Sequence, residues 1–547
     1  MTSRRMFEGR SRAKASAALS GRVSLLALGA MLGLAGCTVG PDFSVPPTPL
    51  ADASDYLDTG VPARAARRLT ARTSQAEPDI AWWQAFRDPI LTRLEERVAA
   101  QNLDVKTATA RLFESRAQLT TANAATLPTI GGTGNAYRMQ YSQNGTIGLL
   151  SGSLGGLTGG GAGGANPTAP LTNGFESYTL GLDASWELDL WGRVRRSVEA
   201  AEAQADASAD QRRDILVSSQ SDLARNYVQL RGTQEQMRIN LANIRVNEQI
   251  LDVVRVRQQK GLVTGLDIAS AAQQVEAIKA QLPGLQQQEI QQINAISLLL
   301  GEAPLALSQE LVTARAIPPV PPRVPVGIPS TLVLRRPDIR AAEANLHAAV
   351  AEIGVAEAQF FPTVTLSASP TGNAVDPGKI FRVSSLQYMN VGPSISIPLF
   401  DGGRLKANLV LQRARQQEAA IAYQKAVLQG WHDIVNALAA LRADEGRRAR
   451  LSRQVGDARQ ALSLSRSRYE QGVDTFTTVL QASQTVLQAE VNLAQATAAI
   501  STDFVSLSRA LGGGWETTFP SGRTPPLSLA KVGVPLADLV HDAPAAH

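Results

Sequence analysis

The segment 178–190 reads YTLGLDASWELDL and alternates apolar and polar side chains at every position. Its apolar set is Tyr178, Leu180, Leu182, Ala184, Trp186, Leu188 and Leu190, and its acidic set is Asp183, Glu187 and Asp189. Because successive side chains of a strand point to opposite faces, the pattern predicts a long strand with one apolar face. Two environments fit it: an ordinary sheet with one solvated side, or a membrane strand between lipid and a wet lumen. In the second case the three carboxylates line the lumen.

A second segment repeats this alternation, with apolar side chains at Met389, Val391, Pro393, Ile395, Ile397 and Leu399. The sequence therefore predicts strands at 175–190 and 388–400, with partner strands at 129–143 and 363–368. Four strands cannot close a barrel, and an open sheet edge leaves unpaired N–H and C=O groups in lipid. About eight strands leave no room for a channel. The membrane interpretation therefore requires at least three copies of the chain.

An internal repeat organises the chain. Residues 257–261 with Gly301 match residues 468–472 with Gly512 at an offset of 211, and Gly181 and Gly192 match Gly392 and Gly403 at the same offset. The repeats are assigned to 89–315 and 331–515, joined by a proline-rich linker at 316–330 and followed by a tail at 516–547. Extra length in the first repeat is assigned to the Gly-rich insertion 152–164, a surface loop to which no role is assigned.

The sequence of each repeat predicts a very long helix, followed by a tight turn and a shorter return helix. The long helices are expected at 193–260 and 404–471, which contain no proline, and each is about 100 Å long. The return helices are expected at 266–300 and 476–511. Because Pro283-Gly284 interrupts only the first of them, the two hairpins should bend differently. The predicted fold class is α+β, with a long helical barrel, a transmembrane β-barrel with four strands per subunit and an internal two-fold repeat.

The N-terminal 36 residues predict an export signal, because basic residues precede a short apolar run that ends at Leu34-Ala35-Gly36-Cys37. The last four residues resemble the lipobox of bacterial lipoproteins, in which the cysteine becomes the lipidated first residue. Cys37 is the only cysteine of the chain. We therefore predict lipidation at Cys37 and an acylated N-terminal segment at 37–88. The alternative is a plain signal peptide with an incidental cysteine.

Charge and composition argue against nucleic-acid binding and catalysis. The formal charge is +5, but residues 1–36 contribute six basic residues and one acidic residue, so the remainder is neutral. The four histidines, His347, His432, His541 and His547, form no spaced pair, and no cysteine pair exists. The sequence therefore predicts no catalytic residues, no metal site and no cofactor. No apolar run after Cys37 is long enough for a membrane-spanning helix.

The two turns after the long helices are the candidate gate. Gly261, Gly265 and Asp267 belong to the first turn, and Gly472 and Asp474 belong to the second. In an oligomer each carboxylate would recur around a narrowing axis, where it would attract cations and resist anions. The alternative is that Asp474 caps the following helix through its side chain. Both roles can coexist.

Several motifs in order resemble the outer membrane factors of the TolC type, within the acylated NodT-like and OprM-like branch. The resemblance covers nearly all of the mature chain. It rests on residues 36–43 (GCTVGPDF), Trp82-Trp83 with Phe86, residues 335–343 (RRPDIRAAE), Phe360-Phe361-Pro362, Arg468-Tyr469 with Gly472, and residues 510–515 (ALGGGW). The Gly-rich insertion departs from the usual pattern.

The resemblance implies a homotrimer with a twelve-stranded barrel in outer-membrane lipid and a helical barrel in the periplasm. It also implies an efflux channel that conducts passively and works with a periplasmic adaptor and an inner-membrane pump. The exported compound is open among drugs, metals, dyes and siderophores. The rival interpretation is a lipid-anchored periplasmic coiled-coil scaffold without a pore, against which the strand alternation argues.

Overall fold

The structure is a computed structural model, and it describes residues 38–47, 73–74, 76–140, 142, 175–327 and 335–519. The predicted signal peptide, Cys37, the Gly-rich insertion 152–164 and most of the tail lie outside these residues. The helices are α1 (Pro89–Gln101), α2 (Leu103–Ala124), α3 (Arg193–Gln259), α4 (Gly265–Lys279), α5 (Leu282–Leu299), α6 (Ser308–Leu311), α7 (Pro337–Ala358), α8 (Arg404–Glu470) and α9 (Phe476–Ala510). The strands are β1 (Thr73–Ser74), β2 (Thr129–Met139), β3 (Phe175–Leu188), β4 (Val324–Pro325), β5 (Thr363–Ala374) and β6 (Leu386–Ser396).

The long helices α3 and α8 contain 67 residues each. At about 1.5 Å per residue, each extends for about 100 Å. A side chain on Gly232, inside α3, would lie 3.1 Å from the Cβ atom of Ala498 in α9. The glycine that lowers helix propensity here therefore lets two helices pack closely. None of the described helices combines the length and the apolar character needed to cross a membrane.

The return segments of the two repeats differ. The sequence predicted that Pro283-Gly284 interrupts the return helix at 266–300, and the structure divides it into α4 and α5, with the break at Ala280 and Gln281. The cause is Pro283, which lies in the first turn of α5, where its missing N–H costs nothing. The second return helix, α9, is continuous over 35 residues.

The chain divides into two compact units, and the first contains the main sheet. This unit comprises residues 1–43, 118–201 and 347–416. Its sheet is antiparallel with strand order β2-β3-β5-β6, so the two hairpins pair through β3 and β5. The strand β5 is longer than the predicted 363–368, because residues 371–374 continue the pairing with β3. A register shift between Ser367 and Ser369 accompanies Pro370, a residue that lacks an N–H group for the ladder.

The N-terminal segment 38–43 packs within the first unit. The backbone N–H of Val39 donates to the carbonyl of Trp191 (3.1 Å), just before α3 begins. Asp42 pairs with Arg196 of α3 at 2.6 Å, and the ring of Phe43 stacks on His347 with centroids 4.4 Å apart. The segment that follows Cys37 is therefore attached where a strand of the sheet leads into a long helix.

The second unit comprises residues 44–117, 202–346 and 417–547. Trp82, Trp83 and Phe86 are buried in its core, and the ring of Phe86 meets that of Phe504 edge to face at 5.3 Å. Burial of such rings is a large apolar contribution to stability. The short strands β1 and β4 pair in parallel in the same unit.

Arg336, from the motif at 335–343, links several parts of the second unit. Its guanidinium donates to Asp338, to Asp433 of α8 and to the carbonyl of Ala510 at the end of α9. A side chain on Gly512 would lie 2.9 Å from the Cα atom of Arg336, and the φ angle of Gly512 is +72°. The arginine therefore joins two helices at a position where only glycine fits beside it.

Candidate functional site

The register of the sheet separates an apolar face from a polar face across β3, β5 and residues 392–396 of β6, whereas Met389 pairs with Ser369 of the polar face, contrary to the alternation predicted for this strand. Residues that pair directly across strands share a face. Trp186 pairs with Leu366, and Leu366 pairs with Pro393, while Ser185 pairs with both Thr129 and Ser367. The apolar face leaves large side chains uncovered, namely Ile130, Leu180, Leu182, Trp186, Leu366 and Ile395. The alternation of β3 thus continues through β5 and the end of β6, but only Ile130 adds a large apolar side chain from β2.

The three carboxylates predicted for the lumen have different surroundings. Asp183 lies on the polar face and is exposed, and its Oδ2 accepts from Thr133 Oγ1 at 3.3 Å. Glu187 also lies in β3, but it forms a two-point ion pair with Arg193, with Arg193 Nε to Oε1 at 2.8 Å. Glu187 and Asp183 are four residues apart in β3, so both lie on the polar face.

Asp189 does not belong to the strand, contrary to the alternation. The strand β3 ends at Leu188, and the Asp189 carboxylate accepts from the backbone N–H groups of Val194 (3.1 Å) and Arg195 (2.9 Å). These N–H groups lie in the first turn of α3, where they have no partner within the helix. Asp189 therefore caps α3, and its place on a lumen face stays a prediction.

The two turns at the far ends of α3 and α8 have the same backbone design. Gly261 and Gly472 adopt φ angles of +70° and +76°. In each turn the next residue bonds back five positions, from Leu262 N to Arg257 O (3.0 Å) and from Val473 N to Arg468 O (2.9 Å). Both helices therefore end in a Schellman motif, which requires a left-handed residue and favours glycine.

Asp267 is a helix-capping residue. Its Oδ2 accepts from the backbone N–H of Thr264 (2.9 Å) and from Thr264 Oγ1 (2.8 Å), so its carboxylate takes the role of the third helical residue in a capping box at the start of α4. Gly265 is the first residue of α4. Because the partners of Asp267 in this arrangement are neutral, its negative charge persists in the turn.

Asp474 is not a helix cap, contrary to the alternative that the sequence left open. Its carboxylate accepts from Arg468 Nε (2.7 Å) and Nη2 (3.4 Å), whereas the cap position of α9 is Thr475, without a side-chain cap hydrogen bond. The turn therefore contains an ion pair, and Arg468 offsets part of the charge of Asp474. Sequence reasoning placed Arg468 in a motif but did not pair it with Asp474.

Arg257 joins the two turns, and the sequence did not reveal this role. Its Nη1 donates to the carbonyl of Tyr469 (3.2 Å) and its Nη2 to the carbonyl of Glu470 (3.3 Å). The guanidinium carbon also lies 4.6 Å from the ring centroid of Tyr469. The only available signal was the repeat itself, which aligns Arg257 with Arg468 and so marks both positions.

An apolar cluster supports the turns from within the helices. It contains the buried side chains Leu251, Val254, Ala271, Val275, Phe476 and Val479, drawn from both hairpins. Beyond this cluster the turns expose apolar side chains, with exposed fractions of 69% for Leu262, 74% for Leu266 and 62% for Val473. The turns are thus held together but leave an apolar surface uncovered.

A polar cavity of about 570 Å³ lies in the second unit between α3, α8 and α9. Its charged lining residues are Asp214, Arg225, Arg336, Asp338, Asp433, Asp503 and Arg509. Burial, together with the Asp338 charge, raises the pKa of Asp214 to about 6. Burial, the Asp444 charge and a hydrogen bond with Asp444 raise the pKa of Asp503 to about 7. Among the described residues, no group of His, Cys, Asp or Glu side chains is arranged to hold a metal ion.

A sheet with one apolar face and one polar face, together with helices about 100 Å long, is typical of outer-membrane channels with a long helical extension. The model of the outer membrane efflux protein family matches residues 94–302 and 328–513. The chain is 32% identical to the pyoverdine export outer membrane protein OpmQ of Pseudomonas aeruginosa, over 90% of this chain and 97% of that protein. It is 30% identical to nodulation protein T of Rhizobium leguminosarum bv. trifolii, over 89% of this chain and 97% of that protein.

The solved structure of the outer-membrane channel OprN matches with a TM-score of 0.77 and 31% identity, covering 88% of this chain and 100% of that chain. The chain belongs to the outer membrane efflux protein family. It is the outer-membrane channel component of a tripartite efflux system, is located in the outer membrane and extends into the periplasm. The predicted family, fold class and function are thereby confirmed, as is the prediction that the chain is not an enzyme.

Proposed function

We propose that three copies of this chain close a twelve-stranded barrel in outer-membrane lipid, with the polar face of the sheet inside. The observation that carries the proposal is the register, which places the apolar side chains of β3, β5 and the end of β6, together with Ile130 of β2, on one face. The edge strands β2 and β6 each have one partner strand in the described part of the chain. Pairing between copies would satisfy their free edges, as lipid requires.

The test of this proposal is the conductance of the purified oligomer in a planar bilayer. A passive channel conducts ions in discrete steps, whereas a lipid-anchored scaffold has no reason to conduct. Chemical cross-linking of the same sample measures the copy number. A dimer, or a protein that binds membranes without conducting, would contradict the proposal.

The two turns form the periplasmic gate in this proposal, with Gly261, Gly265, Asp267, Gly472 and Asp474 as its residues. Support comes from the Schellman ends of both long helices and from the Arg257 link between the turns. In a trimer each turn recurs three times, so each carboxylate forms a ring of three around the axis. Neutralising that carboxylate removes three negative charges from the ring. Such rings determine which ions pass a narrow constriction.

The charge test uses Asp474→Asn and Asp267→Asn, with the cation-to-anion permeability ratio as the readout. Because Asp474 offsets Arg468, its neutralisation should favour anions. Asp267→Asn retains an acceptor for Thr264 and should reduce cation preference. Asp252→Asn is the matched control, since Asp252 is 71% exposed and pairs with Arg255 in its own helix. Unchanged ratios in both test variants would exclude these carboxylates from the gate.

The exposed apolar side chains of the turns form the contact surface for the periplasmic adaptor, which links the channel to the inner-membrane pump. Leu262 and Val473 are the most direct positions for a test, because both lie in the turns themselves. Leu262→Asp should abolish complementation of a deletion strain while the purified trimer still conducts. Retained complementation would contradict the contact. The similarity to OpmQ makes siderophores the first compounds to examine in such a strain.

Lipidation of Cys37 completes the proposal, and its support is the lipobox together with the packing of the residues that follow. The backbone N–H of Val39 donates to the carbonyl of Trp191, between β3 and α3. A lipid there would enter the periplasmic leaflet beside the barrel. Mass spectrometry of the mature N-terminus tests this directly, and an unmodified Cys37 would contradict it. Cys37→Ser should impair delivery to the outer membrane more than insertion.

A further inference from the structure

The connection between β5 and β6 is a compact loop with exposed apolar side chains. Residues 375–385 contain two 3₁₀ turns, Pro377–Lys379 and Val383–Ser385. The loop is stabilised internally, because Asp376 Oδ1 accepts from Gly378 N (3.0 Å) and Ser385 Oγ donates to the carbonyl of Lys379 (2.9 Å). Nevertheless Phe381 is 83% exposed and Val383 is 84% exposed.

The loop folds back over the apolar side of the sheet. Gly372 pairs with Leu180 on β3 and with Leu386 on β6, and Leu180 belongs to the apolar face. A side chain on Gly372 would lie 2.9 Å from the carbonyl oxygen of Ile380, a distance that real Cβ atoms do not adopt. Ile380 therefore covers Gly372 on the apolar side, and Phe381 is the next residue. Glycine is required here so that the loop can approach the sheet.

The aromatic residues of β3 place this loop at the level of the membrane surface. Tyr178 and Trp186 lie on the same apolar face, eight residues apart, which is about 27 Å along a strand. For a strand tilted by about 40° this is about 21 Å along the membrane normal. Membrane barrels carry an apolar band about 25 Å tall between two aromatic girdles. Ala374, the last residue of β5, pairs with Tyr178, so the loop starts level with the girdle farther from the helices.

The charges of the loop favour a phosphate-bearing surface. Lys379 and Arg382 are basic and Asp376 is the single acidic residue, so the loop carries one net positive charge. Lys379 pairs with Asp376 at 3.3 Å, and Arg382 is exposed next to Phe381. Long basic side chains keep their apolar stems in the membrane and their charged ends at the headgroups.

We propose that the β5–β6 loop is an anchor in the outer leaflet, where Phe381 and Val383 enter the lipid and Arg382 meets lipid phosphates. This anchor rests on the membrane barrel proposed above. It fixes the height of the barrel in the bilayer from the side opposite to the Cys37 lipid. Each copy contributes one loop, so a trimer holds three anchors around its rim.

The test is the depth of a nitroxide spin label on the full chain, reconstituted in vesicles of phosphatidylcholine and phosphatidylglycerol. Cys37→Ser makes an introduced cysteine unique, and the label is placed at Phe381→Cys, Leu182→Cys or Val473→Cys. Leu182 is on the apolar face and Val473 is in a periplasmic turn, with similar exposed fractions of 57% and 62%. The readout is the ratio of collision rates with oxygen and with a water-soluble nickel chelate.

We expect the label at position 381 to collide more with oxygen than with nickel, as at position 182 and unlike position 473. A water-accessible label at 381 with a lipid-immersed label at 182 would overturn the anchor and leave the barrel intact. Water-accessible labels at both positions would overturn the barrel and the anchor with it. Arg382→Glu should lower the ratio at position 381, and an unchanged ratio would overturn the phosphate contact.

Discussion

Glu95 in α1 is a fully buried carboxyl group whose two oxygen atoms have no hydrogen-bond partner among the described residues. Burial raises the pKa of Glu95 well above the ordinary value of a glutamate side chain. The folded state therefore holds a proton that the unfolded state releases. Stability is unaffected below about pH 4 and falls as the pH rises from there toward the folded pKa. This carboxyl group is a stability cost at neutral pH.

We predict that Glu95→Gln matches the parent protein at pH 4 and melts at a higher temperature at pH 8. The amide cannot ionise, so it avoids the pH-dependent loss. Glu95→Leu should be more stable at both pH values by about 1 kcal/mol, because it removes an unsatisfied polar group. Thermal melting of the purified oligomer at both pH values checks this. Lower melting temperatures for both variants would show that Glu95 has a partner when the protein is assembled.

Asp503 gives a second, weaker pH dependence in the polar cavity. Its pKa of about 7 lies above the unfolded value of about 4, so its contribution to stability falls between pH 4 and pH 7. We predict that Asp503→Asn stabilises the protein at pH 8 and leaves it unchanged at pH 4. The effect should stay below about 1 kcal/mol, because the site is partly open to solvent. A gain of equal size at pH 4 would mean that packing, not charge, is responsible.

Individual carboxylates were the least predictable feature of the site. Asp183, Glu187 and Asp189 look equivalent in an alternating strand, yet the first faces solvent, the second pairs with Arg193 and the third caps α3. Capping was the alternative role predicted for Asp474, but Asp474 pairs with Arg468, and the capping residue is Asp267. Periodicity determines which face a side chain occupies. It does not determine which arginine or backbone N–H group lies within 3 Å.

Elements were more predictable where one period dominated. The absence of proline and the scarcity of glycine predicted α3 at 193–260, and the structure has it at Arg193–Gln259. The strand β5 was predicted only to residue 368, but it continues across Pro370 and Gly372 to Ala374. Pro370 is tolerated because it lies beside a bulge, and Gly372 is required because the carbonyl of Ile380 lies close above it. Both reasons depend on the folded structure and are not visible in the local sequence.

Because β3 has one apolar and one polar face, substitutions at two adjacent residues should have different effects. Leu182 lies on the apolar face and Asp183 on the polar face, and both are exposed in one copy of the chain. Leu182→Arg should reduce the yield of inserted oligomer, since arginine at the bilayer midplane of a barrel costs about 2 to 4 kcal/mol. Asp183→Arg should insert normally and change the single-channel conductance. Equal losses of yield from both substitutions would reverse or abolish the assigned facing.

The two repeats of the chain share their order of elements but differ in the return segment, where only the first contains Pro283-Gly284. Both long helices end in the same glycine turn, whereas only the first return segment is divided, at Ala280 and Gln281. Three copies would therefore alternate two kinds of hairpin around the axis. The Arg257 link between the turns joins one kind to the other within a chain.

The Arg257 link predicts how the channel would be opened by mutation. Arg257→Ala removes two charge-assisted hydrogen bonds and the contact with the Tyr469 ring, so separating the ends of the two hairpins costs less free energy. A loss of about 1.4 kcal/mol corresponds to a tenfold change in equilibrium. We therefore expect a higher single-channel conductance or open probability in planar bilayers, without a change in oligomer yield. Arg255→Ala is the matched control, because Arg255 lies two residues earlier and bonds to Asp252 in its own helix at 3.1 Å. If both alanine variants conduct like the parent protein, the turns are not the constriction and the gate lies elsewhere along the helices. If both alanine variants conduct more than the parent protein, the loss of a positive charge explains the increase, and the contact of Arg257 with the second turn does not.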